Sequence, residues 1–95
     1  MAGSVPRTIA VTFDGAPARS DVPGLCASVS AALAEGAAVV VCHLAGASAC
    51  LVTVDALARL QLVTRRHDAQ LELRDTSVEL RRLLALTGLL GTLPR

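Results

Sequence analysis

The chain has 95 residues and a formal charge of +1, enough for a single domain spanning 1–95, near the size at which one core just suffices. Hydrophobic residues make up 53% and charged residues 18%, which excludes a disordered polyelectrolyte. Phe13 is the sole Phe, Tyr or Trp and every basic residue is Arg, so the chain offers neither a stacking platform for single-stranded nucleic acid nor excess charge for a phosphate backbone.

Thr8 to Asp14 alternates, with Ile9, Val11 and Phe13 on one face, and is predicted as a strand. Gly15-Ala16-Pro17 breaks it. Ser20 or Asp21 is placed to cap a helix, Pro23 suits the first turn, and Val22, Leu25, Cys26, Val29 and Leu33 form a core-facing stripe. Gly36 suits a left-handed terminator after Glu35.

Ala38 to Leu44 is apolar without alternation at its start, the pattern of a strand covered on both faces. Ala45 to Ser48 is predicted as a turn. A helix is expected from about Thr53 to His67, with Val54, Leu57, Ala58, Leu60 and Val63 inward and Asp55 paired with Arg59 outside. Gln70 to Asp75 alternates again, with Leu71 and Leu73 inward and one wet face. Thr76 and Glu79 have capping-box spacing. The last helix presents Leu80, Leu83, Leu84 and Thr87 inward, Arg81 and Arg82 outward, and Gly88 as its cap.

The order β-α-β-α-β-α predicts a small, mostly parallel sheet of about three or four strands packed with about three helices, joined by right-handed crossovers. No apolar run approaches the roughly 18 residues needed to cross a membrane, and MAGSVPRT lacks the pattern of a secretory leader, so the expectation is a cytoplasmic protein without membrane insertion. Cys26, Cys42 and Cys50 have no C-x-x-C spacing and are read as reduced.

The stretches VVVCHLAGASACLVTVDALARLQLVTRR and LELRDTSVELRRLLALTGLLGTL resemble the STAS domain, the fold of anti-sigma factor antagonists. The order of elements and the phrase LALTGL, Leu84 to Leu89, carry the likeness, which spans Thr8 to Leu93 and leaves the family's first edge strand missing or confined to Ser4 to Thr8. In that family the second helix opens on an Asp-Ser-Ser/Thr-Gly-Leu motif. Here Leu51-Val52-Thr53-Val54 stand at the Asp-Ser-Ser-Gly positions, so Thr53 falls at the phosphorylated hydroxyl, and His43 stands where many members carry Asp.

The resemblance implies a non-enzymatic regulatory protein–protein interaction module that docks on an anti-sigma factor kinase. Ser48, Leu51, Val52, Thr53, Val54 and Asp55 are the candidate partner-binding residues, and Thr53 is the phosphorylation candidate. By residue type alone, Thr53 is also an ordinary helix N-cap. Two alternatives stand beside this reading: a STAS subunit bound to the ATPase subunit of an ABC-type membrane transporter, and a small-ligand or nucleotide-binding module near the second helix start.

Neither catalytic residues nor a cofactor are expected, because paired carboxylates, G-x-S-x-G and a phosphate-binding glycine loop are all missing. No metal is expected either. Cys42 and His43 are adjacent in a strand and point to opposite faces, and Cys50 and His67 lie at no zinc-site spacing. His43 is read as a polar residue at a strand end, and Cys50 as the thiol most open to solvent. The apolar tail Leu89, Leu90 and Leu93 is expected to fold back on its own sheet or to pair two copies in a homodimer.

Overall fold

A computed structural model describes residues 7–88 as a small α/β domain, with three α-helices and a three-stranded, all-parallel sheet. The chain runs β1 (Arg7–Gly15), a 3-10 turn (Arg19–Asp21), α1 (Val22–Ala34), β2 (Ala37–Ala47), α2 (Leu51–Arg66), β3 (Gln70–Arg74) and α3 (Val78–Leu86). Spatial order equals chain order, β1-β2-β3, so each crossover steps the same way across the sheet. Right-handed crossovers stepping in one direction put both crossover helices, α1 and α2, on the same face.

Strand parity and register define that face. Ile9 lies beside Val40, which lies beside Leu71; Val11, Cys42 and Leu73 form the next row. These side chains join Phe13 and Leu44 in one core with Val22, Val29 and Leu33 of α1, Val54, Leu57 and Leu60 of α2, and Leu80 and Leu84 of α3. Leu44, Leu57, Leu60, Leu80 and Leu84 are fully enclosed, each contributing about 1.5–3 kcal/mol by burial.

The opposite face is bare among the described residues, and this corrects the expectation that β2 is covered on both sides. Its rows are Thr8-Val39-Gln70, Ala10-Val41-Glu72 and Thr12-His43-Arg74. Val41 is nonetheless buried because Ala10 and Glu72 flank it, whereas Val39 and His43 stay half-buried. Lateral neighbours, not a second helical layer, shield the strand.

Several boundaries move. Ala45 to Ala47 is strand, not turn, because Gly46 and Ala47 pair with Asp14 and Gly15. A Cβ on Gly46 would make only ordinary contacts there, 3.4 Å from the Phe13 carbonyl oxygen and 3.6 Å from Asp14 Oδ1, so this pairing does not depend on glycine. Asp21 precedes α1 but its side chain makes no capping bond, and Pro23 lies in the first turn as expected. At α3 the cap is Ser77, not Thr76. Its Oγ accepts the Leu80 N–H at 3.1 Å, which places Glu79 one residue short of the reciprocal position. Thr87 is exposed and donates its hydroxyl to the Leu84 carbonyl at 2.9 Å instead of entering the core. Gly36 (φ +114°) follows the end of α1 and Gly88 (φ +81°) follows α3 in the left-handed region expected of such terminators. Leu89, Leu90, Leu93 and Ser4 lie outside the described residues.

Candidate functional site

In a parallel sheet every strand ends on the same side, and the helix that follows each strand begins there. Gly15, Ala47 and Arg74 therefore close the strands on the rim where α1, α2 and α3 start. Gly15 (φ +73°) turns the chain away, and its carbonyl accepts the Ser48 N–H at 3.0 Å, locking the exit of β1 to the exit of β2. Three residues beyond β2, Cys50 takes an extended conformation (φ −148°, ψ 169°) and α2 begins at Leu51.

The first turn of α2 divides the predicted site residues in two. Ser48 and Asp55 are exposed, Leu51 is 68% exposed and Val52 is half-buried. Thr53 is fully buried and Val54 belongs to the core. Thr53 is not the N-cap: Cys50 holds that position, and the Val54 N–H returns to the Cys50 carbonyl at 3.1 Å. The Thr53 hydroxyl instead meets the Cys50 sulfur at 3.5 Å. A bulky phosphate has no room on that oxygen unless the first turn opens.

Cys50 is half-buried in the loop–helix junction. The Thr53 hydroxyl first, then the Thr53 backbone amide, lower its pKa; desolvation opposes them, and the Val52 amide adds a smaller lowering. Its surroundings favour the thiolate, as helix starts do. The other thiols behave oppositely. Burial pushes Cys42 up to about 12, and burial also raises Cys26, an effect that Arg59 opposes and Asp55 reinforces.

Those two charges lie on the outer surface of α2. There Arg59 Nε donates to Asp55 Oδ2 at 2.9 Å, with both side chains more than half exposed, a pair that contributes only a few tenths of a kcal/mol. Leu51, Asp55, Arg59 and Leu62 follow at spacings of three and four, so an exposed stripe of α2 begins and ends on leucine.

A second feature went unnoticed in the sequence. Val11, Thr12, Phe13, Asp14, Pro17 and Leu25 line an open recess of about 280 Å³ at the exit of β1. The signal was there: Asp14 lies at the C-terminal end of a parallel edge strand, where α/β sheets gather ligands.

The remaining candidates lie apart. His43 is not at a strand end but within β2, on the bare face between Thr12 and Arg74. Cys42 points the other way, into the core. His67 Nε2 is 3.2 Å from Ser30 Oγ, joining the end of α2 to α1. Among the described residues no three His, Cys, Asp or Glu side chains gather as a metal site, and no helix is long and apolar enough to cross a membrane. No protein-family model and no curated protein matches the chain.

Proposed function

We propose that this chain is a non-catalytic regulatory interaction module of the anti-sigma factor antagonist type, which docks on an anti-sigma factor kinase through the head of α2. The observation that carries the reading is Leu51: a large apolar side chain, 68% exposed, at the start of a helix on the rim of the sheet. Ser48, Val52 and the Asp55–Arg59 pair surround it, so an apolar centre has a polar border, the anatomy of a recognition surface. Thr53 and Val54 act from behind, by fixing the helix that presents it.

The STAS resemblance of the sequence supplies the partner class. A kinase of that class would modify Thr53 only after the first turn of α2 opened. The phosphate would then sit on the positive helix end, two residues from the carboxylate of Asp55. Calorimetric titration against the anti-sigma factor kinases of the same cell tests the proposal. Binding that weakens at least tenfold in Leu51→Asp supports it. Binding to none of them, or only to a transporter ATPase subunit, overturns it.

A further inference from the structure

β1 pairs with β2 along one edge, and among the described residues nothing pairs with its other edge. Edge strands normally protect themselves by being short or by carrying Pro, inward charges or Lys. β1 is 9 residues long, and its in-register run, Thr8 to Thr12 between two register shifts, has no charge and no proline. Helical cover is thin there as well. α1 packs principally over β2 and α2, leaving Ile9 and Val11 of the core-side face half-buried.

This run is its own complement. Thr-Ile-Ala-Val-Thr has the same chemistry in either direction about Ala10. When two copies lie antiparallel across a two-fold axis at Ala10, each Thr8 faces Thr12 of the second copy, each Ile9 faces Val11, and Ala10 faces Ala10. Residues directly opposite in an antiparallel pair share a face. The Ile–Val pairs therefore extend the helix-covered layer and the Thr–Thr pairs extend the bare face. Slipping by one residue would set apolar side chains against the hydroxyl face.

We propose that the outer edge of β1 is a homodimerisation surface, joining two three-stranded sheets into a continuous six-stranded one through antiparallel β1–β1 pairing centred on Ala10. This contact lies on the strand edge, away from the stripe of α2, so a dimer leaves that surface free.

Sedimentation velocity of the full chain between about 1 µM and about 1 mM tests it, since a contact of this small size belongs to the weak range. The expected result is a monomer–dimer transition within that span. Ala10 is exposed on the bare face, so Ala10→Lys leaves the core untouched while setting two like charges directly opposite. It should move the midpoint at least tenfold higher in concentration, with an unchanged circular dichroism spectrum.

Should that variant fail to fold, Ala10→Cys in a Cys26→Ser, Cys50→Ser background decides the matter. Opposed Cα atoms about 4.5–5.5 Å apart lie within disulfide reach, so oxidation should yield a covalent dimer that Glu79→Cys, exposed on α3, does not. A chain monomeric at about 1 mM would overturn the proposal. So would a dimer indifferent to Ala10→Lys, or equal crosslinking through position 79.

Discussion

The sulfur of Cys50 and the hydroxyl of Thr53 stand 3.5 Å apart at the head of α2, one residue capping the helix from outside and the other fully enclosed within its first turn. Their contact ties the chemistry of the exposed junction to the integrity of the buried turn. A change at either residue is felt at the other.

Alkylation kinetics report this coupling. At pH 7–8 Cys50 should react faster than Cys26, and Cys42 should react only on unfolding, since burial raises the last two while hydrogen bonding to Thr53 lowers the first. Thr53→Val removes the main cause of the lowering. The Cys50 thiolate fraction then falls at fixed pH, and its alkylation slows. An unchanged rate in Thr53→Val would show that the hydroxyl has no hold on the thiol.

Alkaline stability should be governed in part by Cys42. Its thiol titrates near 9 in an open chain but is held up to about 12 in the fold. The unfolded state therefore loses its proton first as pH rises. Stability from this group is complete below pH 9 and declines between about 9 and 12, by at most about 1.4 kcal/mol per pH unit. Urea midpoints measured along this range should fall less steeply in Cys42→Val, which has nothing to titrate. Parallel slopes in the two proteins would contradict the assignment.

Leu51 and Leu57 lie on the same helix and should separate docking from folding. Leu57→Ala deletes a side chain that is 1% exposed and should cost about 2–5 kcal/mol by thermal or urea unfolding. Leu51→Asp changes one that is 68% exposed and should stay within about 0.5 kcal/mol of the parent. A large loss of stability in Leu51→Asp would mean that Leu51 belongs to the fold and not to a recognition surface.

The cap of α3 gives a sharper comparison between neighbours. Ser77→Ala leaves the Leu80 amide without its side-chain acceptor and should cost about 0.5–2 kcal/mol. Thr76→Ala removes no capping bond and should cost distinctly less. Equal losses at both positions would require Thr76 to support the helix in some other way.

The alternation of Ile9, Val11 and Phe13, and of Leu71 and Leu73, was enough to identify β1 and β3 and the side each turns to the core, because a strand's side chains repeat every two residues. Helical spacing did the same for Val22, Val29 and Leu33 and for Leu80 and Leu84. The unbroken apolar run of β2 carried no such information. Which of its faces lies under helices was decided by the path of the chain, since three strands laid down in sequence order collect all their crossovers on one side.

The head of α2 was legible in part: helical spacing turned Val54, Leu57 and Leu60 inward and Asp55 and Arg59 outward, but did not give the residue at which the helix begins. Consecutive residues of an α-helix turn by about 100°, so once the helix begins at Leu51 rather than Thr53 the same spacing carries Thr53 onto the face of Leu57 and Leu51 onto the face of Asp55. The starting residue depends on a tertiary contact: the Ser48–Gly15 bond fixes where β2 ends and hence where α2 can begin. With that start, Thr53 lies inward and the leucine two residues before it faces water.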